Sequence, residues 1–168
     1  DHAGNLTATE SFDANMNPVT STMGVAKVVN SYDARGFVES IRFFDPEGER
    51  TISKDGFHFA KYKRNAMGLI EQAAHFDIHD KPTITTDGYS IRRSVFDERG
   101  NITDDSAFDT AGNPTIVMQG IHRIRKTYNE RNQTTEVAYF DTNDKPTINL
   151  EGMHRASSTF VLQDEVAR

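Results

Sequence analysis

Three histidines, His58, His122 and His154, lie at positions that differ by multiples of 32 residues, and they are the first candidates for chemistry. Imidazole nitrogens bind zinc at about 2.0–2.1 Å, so two ligands of one ion must converge closely. If every 32 residues supply two antiparallel strands, equivalent side chains lie about 9.5 Å apart. That separation is too large for a shared ion. We therefore predict polar or hydrogen-bonded histidines and no metal site.

Acidic and hydroxyl side chains are abundant, but their spacing matches no catalytic or calcium-binding motif. Asp97, Asp104, Asp105 and Asp109 form neither an EF-hand loop nor a glycine-rich calcium-binding nonapeptide. An aspartate that begins a turn is explained by its side chain accepting hydrogen bonds from the backbone. The chain also contains no Gly-x-Ser-x-Gly elbow and no phosphate-binding glycine loop. We predict no catalytic residue, no cofactor and no enzymatic activity.

The elements that would position these residues recur along the chain. A Phe-Asp pair returns every 32 residues, and a glycine keeps the same period. These predicted structural residues are Phe12, Phe44, Phe76, Phe108 and Phe140, with Gly24, Gly56, Gly88, Gly120 and Gly152. Two independent markers with one period predict tandem repeats. We expect a single array over residues 1–168 with about five units, in which 152–168 form a divergent last part that could act as a cap.

Composition and charge favour a thin, elongated body. Only 36% of the 168 residues are hydrophobic and no tryptophan is present, so each unit is expected to bury its apolar side chains on its neighbours. The net charge of −6 disfavours nucleic acid and membrane surfaces as partners. No apolar run is long enough to span a membrane. The absence of cysteine excludes disulfides and leaves the compartment open.

The unit from Gly88 to Gln119 contains three segments with strand character, at 89–96, 101–108 and 115–118. Between the first two, Asp97 suits the first position of a type I turn and Gly100 suits the positive φ of a bulged hairpin. The glycine at position 88 is expected to adopt a positive φ as well. Pro114 lacks an N–H group, which puts the third segment at an edge or in a connection. Phe76 is expected to share a buried face with Ile70.

Three strands per unit would reverse the chain direction from one unit to the next. The third segment must therefore leave the sheet, which gives an array of antiparallel β-hairpins, or the three segments must form the sides of a β-helix. A β-helix would enclose charges such as Lys126 or Arg123, at a cost of several kcal/mol for each unpaired ion. A hairpin sheet with one solvated face avoids that penalty. We predict an all-β hairpin array, with a β-helix-like solenoid as the alternative.

The first strand of each unit varies most and is both cationic and partly aromatic. Its residues are the expected binding face, if the chain has one: His58, Tyr62, Arg92, His122, Arg123, Arg125 and His154. A cationic row of this kind on a net acidic chain suits an acidic protein surface or a glycan. The alternative is ordinary cross-strand packing of aromatic side chains.

Two five-residue segments begin with an aromatic residue and aspartate and end with glycine: Tyr32-Asp33-Ala34-Arg35-Gly36 and Phe96-Asp97-Glu98-Arg99-Gly100. Both segments resemble the YD repeat of bacterial Rhs-type surface proteins. The array is also similar, more loosely, to MORN-type hairpin repeats. These resemblances imply a bacterial scaffold or interaction platform, and they carry no catalytic residues to this sequence.

We therefore expect a non-enzymatic structural or protein-interaction module, with a carbohydrate-binding module as the alternative. Asp1 falls on the repeat position of Asp33 and Asp97, so we expect the chain to be part of a larger protein. That protein is expected to be exported or surface-associated, with an extracellular, periplasmic or cell-surface location. The expected partners are other protein chains, as adjacent domains or subunits, a glycan in the alternative, and further copies of this chain joined end to end through open strand edges.

Overall fold

A computed structural model describes residues 4–117 and 119–160, which form one open antiparallel sheet and contain no helix. The strands follow one another across the sheet in chain order. They are β1 (Ala8–Glu10), β2 (Lys27–Tyr32), β3 (Val38–Phe44), β4 (Phe59–Arg64), β5 (Ile70–Phe76), β6 (Ile91–Phe96), β7 (Ile102–Phe108), β8 (Arg123–Tyr128), β9 (Thr134–Phe140) and β10 (Arg155–Ser157). The predicted all-β hairpin architecture is confirmed. Every neighbouring pair is antiparallel, whereas a β-helix would pair its coils in parallel.

The tip of the β6–β7 hairpin shows why these residues turn. The Asp97 carboxylate accepts hydrogen bonds from the backbone N–H groups of Arg99 at 3.0 Å and Asn101 at 2.9 Å. The Gly100 N–H donates to the Asp97 carbonyl at 3.1 Å, and Gly100 has a φ of +87°. The predicted turn and its glycine are therefore confirmed. An aspartate or asparagine side chain holds the tips of the other three long hairpins in the same way, at Asp33, Asn65 and Asn129.

The third predicted segment leaves the sheet after a single bridge. Pro114 faces Phe108 in an isolated bridge, and the Thr115 N–H donates to the Ala107 carbonyl at 3.1 Å. A turn closed by Val117 and Gly120 then returns the chain to β8. Position 118, the end of the predicted segment, lies outside the described residues. Because each unit contributes two strands to the sheet, the first strand of every hairpin runs in the same direction. Three strands per unit would have reversed that direction from one unit to the next.

These return turns are joined to one another along the molecule. The Lys54 N–H donates to the Met23 carbonyl at 3.0 Å, and the Thr86 N–H donates to the Asp55 carbonyl at 2.9 Å. Gly56 adopts the predicted positive φ, +88°, beside the second of these bonds. The turns thus form a hydrogen-bonded row along one side of the sheet.

A register shift near each hairpin tip changes which side chains share a face. In the β4–β5 pair, Lys63 is opposite Gln72 but Arg64 is opposite Ile70, so Glu71 is an extra residue. Directly opposed residues lie on one face of a sheet, and an extra residue reverses the alternation. The prediction that Phe76 and Ile70 share a face is therefore wrong.

The best-packed core lies on the face that we call the inner face, which carries Val28, Ile41, Phe43, Ala60 and Tyr62. Its buried cluster consists of Val25, Phe43, Phe57 and Ala60, and Val28, Ile41 and Tyr62 pack against it. The opposite, outer face carries the phenylalanines of the Phe-Asp pairs. Their burial is uneven, since Phe108 is buried and Phe12 is exposed. Among the described residues, the most enclosed phenylalanine is instead Phe43, one residue before a Phe-Asp phenylalanine.

Candidate functional site

Two of the predicted binding-face histidines are enclosed in the fold. His58 is 0% exposed and His122 is 4% exposed. The Nδ1 atom of His58 lies 3.1 Å from the Thr51 carbonyl oxygen, and that of His122 lies 3.3 Å from the Thr115 carbonyl oxygen. Each carbonyl belongs to the segment that leaves the sheet after the second strand of a hairpin. The histidine rings therefore hold that segment against the sheet. His58 presents no surface to a ligand, whereas the His122 side chain lines a small cleft on the inner face.

The remaining predicted residues fall on two opposite faces. Tyr62 and Arg92 lie on the inner face, whereas Arg123 and Arg125 lie on the outer face, because successive strand residues alternate. His154 is exposed just before β10. The predicted row is thus not one surface, and its members divide into an inner and an outer group.

His75, outside the predicted binding face, is also buried. Its Nδ1 atom lies 2.9 Å from the Ser90 carbonyl oxygen, and its ring packs edge-on to Phe57 and Tyr89. Burial lowers the pKa of His75 below its usual value of 6.5, and the bond to the Ser90 carbonyl opposes that shift only in part. The imidazole is therefore held in its neutral form.

Within residues 4–117 and 119–160, no group of three or more His, Asp or Glu side chains could hold a metal ion. The same residues include no helix able to cross a membrane.

On the outer face, guanidinium groups stack on the row of phenylalanine rings. The Arg42 guanidinium lies 4.0 Å from the Phe59 ring centre, and that of Arg93 lies 4.1 Å from the Phe108 ring centre. Arg125 lies over Phe140 in the same way, at 4.4 Å. Such cation–π contacts hold the cationic groups over apolar surface.

Among the described residues, some cationic side chains of the outer face form ion pairs with carboxylates, and others do not. Arg123 and Arg125 share Asp104 and Asp144, with distances of 2.7 Å from Arg123 to Asp144 and 3.2 Å from Arg125 to Asp104. The hydrogen bond from Arg125 lowers the pKa of Asp144. A second group has no ion pair with any described residue, and it consists of Arg42, Lys61, Lys63 and Arg93. We call these four residues the free basic patch.

The inner face of the β6–β7 hairpin carries an ion pair that is not among the predicted features. The Arg92 Nε atom lies 2.9 Å from both carboxylate oxygens of Asp105, and Arg92 Nη2 donates to the same carboxylate. The Ser94 hydroxyl donates to Asp105 at 3.1 Å, and Arg92 also interacts with the Tyr89 hydroxyl. The pair raises the pKa of Arg92 above its usual range.

Two clefts meet at this ion pair. One, of about 210 Å³, is lined by Arg92 and Asp105 together with residues of the following return turn. The other, of about 500 Å³, extends toward β5 and is lined by Arg92, Arg64 and His75. Tyr89 lies at the wall of both. A signal was present in the sequence, because Asp105 stands at the repeat position occupied by Ala73 and Val137.

The fold and these two surfaces define an antiparallel sheet of β-hairpins with a basic outer face and an inner cleft. No protein-family model matches the chain, and no curated protein sequence matches it.

Proposed function

We propose that the chain is a non-enzymatic interaction module that binds an acidic segment of another protein through the free basic patch of its outer face. The observation that carries the proposal is the set of unpaired cations on a protein whose net charge is −6. Lys61, Lys63 and Arg93 are exposed, and Arg42 is half-buried on Phe59. Local positive charge on an acidic protein steers anionic partners and favours their orientation.

The chemistry of the patch favours an acidic protein over a neutral glycan. A sugar ring binds an aromatic side chain through the face of the ring, but guanidinium groups already cover one face of Phe59 and of Phe108. A carboxylate can instead approach the stacked Arg93 from the solvent side and form charge-assisted hydrogen bonds. The carbohydrate-binding alternative would have to use another surface.

A tandem array of 32-residue units is the second part of the proposal. Its support is that β2, β4, β6 and β8 begin at residues 27, 59, 91 and 123, so each long hairpin starts one sequence period after the last. Positions 161–168 of the predicted divergent last part, 152–168, lie outside the described residues. The resemblance to YD repeats and the place of the chain within an exported or surface-associated bacterial protein remain part of this proposal.

Binding of a poly-glutamate peptide to the 168-residue chain tests the outer-face function. We expect the double substitution Lys61→Glu and Arg93→Glu to weaken binding by about tenfold or more, because two charges that attract the anionic peptide are replaced by two that repel it. Affinity can be measured by fluorescence anisotropy of a labelled peptide at physiological ionic strength. A poly-glutamine peptide of equal length should not bind.

A matched control makes the same change in net charge away from the outer face. Lys54 is exposed in a return turn, and Arg131 is exposed at the β8–β9 hairpin tip. The double substitution Lys54→Glu and Arg131→Glu should leave poly-glutamate affinity within about twofold of the wild type, since exposed charges beyond a Debye length of about 8 Å are largely screened. Equal losses in the two double variants would refute a specific patch.

A further inference from the structure

The inner face of the β6–β7 hairpin departs from its neighbours at two positions. Arg92 stands at the repeat position of Ala60 and Ile124, and Asp105 stands at that of Val137. Exposed ion pairs contribute little net stability, and replacing a buried pair by apolar residues is often neutral or stabilising, so stability gives little reason to keep this half-exposed pair. A charged pair at positions that are apolar in the two neighbouring units points instead to recognition of a ligand.

Arg92 is held in place and is still open to solvent. The Asp105 side chain is only 10% exposed and binds the Nε and Nη2 groups of Arg92, whereas the Arg92 side chain is 50% exposed. Ser94 fixes the carboxylate from the other side. A guanidinium has five N–H donors in a rigid plane, so this arrangement leaves donors that point away from Asp105. They lie where the two clefts meet.

Arg64 brings a second guanidinium to the larger cleft. Its Nη1 group donates to the Gly68 carbonyl at 2.7 Å, and its Nε group donates to the Val38 carbonyl at 3.2 Å. These bonds orient the side chain but do not neutralise it, and no carboxylate of the described chain forms an ion pair with Arg64. Since Asp105 offsets the charge of Arg92, the cleft carries a net positive charge from Arg64.

The rest of the cleft wall is mainly apolar. It is formed by Leu69, Ile70, Ala73, Phe96 and Ile102. The register shifts in β4–β5 and β6–β7 turn Ile70 and Ile102 toward this face. The volume of about 500 Å³ lies within the range of about 300–1,000 Å³ that is usual for small-molecule sites.

We propose that this cleft binds an organic carboxylate with an apolar body. The carboxylate pairs with Arg64 and Arg92, for which bidentate hydrogen bonding by guanidinium is well suited, and the apolar body lies against Ile70, Phe96 and Ile102. The same chemistry is offered by a free small acid and by the C-terminal residue of a peptide. The site is separate from the free basic patch, and either proposal can fail alone.

The test compares each acid with its neutral amide on the intact chain. Phenylacetate represents a free acid and N-acetylphenylalanine represents a peptide C-terminus, with phenylacetamide and N-acetylphenylalaninamide as controls. We expect at least one acid to bind and its amide to bind about tenfold or more weakly, because a charge-assisted pair is lost. Affinity is read from chemical-shift changes in an NMR titration. If only phenylacetate binds, the ligand is a free small acid, and if only N-acetylphenylalanine binds, the ligand is the C-terminal residue of a peptide.

Variants separate recognition from folding. The double substitution Arg92→Ile and Asp105→Val introduces the residues found 32 positions later, Ile124 and Val137. It should keep the wild-type urea midpoint or raise it, while affinity for the acid falls about tenfold or more. Arg64→Met, which keeps the apolar stem, should weaken the acid similarly, and Arg93→Met on the outer face should not. The proposal is overturned if neither acid binds, if acid and amide bind equally, or if the double variant retains the affinity.

Discussion

At the scale of single residues, one buried repeat position of the inner face is occupied by side chains of different chemistry in successive units. The position of Phe43 in the apolar cluster is occupied by His75 one period later and by Ala107 after that. All three are buried, so the environment persists while the chemistry changes. His75 is the titratable member of this series, and its lowered pKa ties the stability of the fold to pH.

We expect the stability of the protein to fall on mild acidification because of His75. The unfolded chain protonates this histidine near its usual pKa of 6.5, whereas the folded chain resists protonation because burial disfavours the charged ring. The unfolded state therefore binds more protons as the pH falls through 6.5, and the free energy of unfolding decreases. Urea midpoints measured on both sides of this pH should differ.

The substitution His75→Phe isolates that contribution. It places at position 75 the residue found 32 positions earlier, and it removes the titrating group. The urea midpoint should then depend less on pH than in the wild type, while His79→Gln, at an exposed turn position, should leave the wild-type dependence unchanged. The same pH dependence in the His75→Phe variant would contradict the assignment.

At the scale of elements, two kinds of turn do different work. Hairpin tips are closed by their own aspartate or asparagine side chains, and side chains also link neighbouring tips, since Arg99 Nη1 donates to the Asn129 carbonyl at 3.2 Å. The return turns are joined to the next return turn by backbone hydrogen bonds, such as that from Thr86 N–H to Asp55 carbonyl at 2.9 Å. Gly56, in one of these return turns, thus meets two demands, a positive φ and close approach of another chain segment.

A pair of glycine-to-alanine substitutions separates these demands. Gly56 and Gly112 have similar φ values of +88° and +85°, but a Cβ atom at Gly56 would lie 3.1 Å from the Thr86 backbone nitrogen, whereas none of the described atoms lies within 4 Å at Gly112. Gly112→Ala should cost about 1–2 kcal/mol for the left-handed backbone alone. Gly56→Ala should cost more, about 2–3 kcal/mol, in urea unfolding.

The difference in the free energy of unfolding between the Gly56→Ala and Gly112→Ala variants measures how much the contact between neighbouring return turns contributes to stability. Equal losses of stability would show that Thr86 moves away without cost and that the turn row contributes nothing beyond local backbone conformation.

At the scale of the whole molecule, the sheet formed by the described residues is open at both sides of its strand order. β1 and β10 have three residues each and are the edge strands. Short edges reduce unwanted pairing but do not abolish it, because unpaired N–H and C=O groups remain available to another strand. The proposed end-to-end association of copies of this chain follows from these edges.

We expect the 168-residue chain to associate in a concentration-dependent manner, and we expect proline at the edges to prevent it. Ser11 N–H and Thr7 carbonyl bond to β2, so the backbone groups of Ala8 face away from the sheet. By the same alternation Ser157 faces outward in β10. The substitutions Ala8→Pro and Ser157→Pro remove only outward donors and should give a monomer in sedimentation velocity.

The control is Ala156→Pro, because Ala156 lies between His154 and Ser158, the residues on either side of β10 whose backbone groups bond to β9. This change should loosen β10 and lower stability. A wild-type chain that stays monomeric over the whole concentration range would contradict the association.

The sequence by itself determined the period of 32 residues, the hairpin tips with their aspartates, the positive φ of glycines such as Gly100 and the departure of the third segment from the sheet. These features follow from local backbone chemistry, since side-chain hydrogen bonds and φ restrictions act within a few residues. Only the tertiary structure decided which face is the core, because the register shift beside Ile70 reverses the side-chain alternation. It also decided that His58 and His75 are buried. The ion pair between Arg92 and Asp105 was decided in the same way, because these residues are 13 positions apart and their contact depends on the cross-strand register. Pairing across strands is a property of register, and no local pattern specifies it.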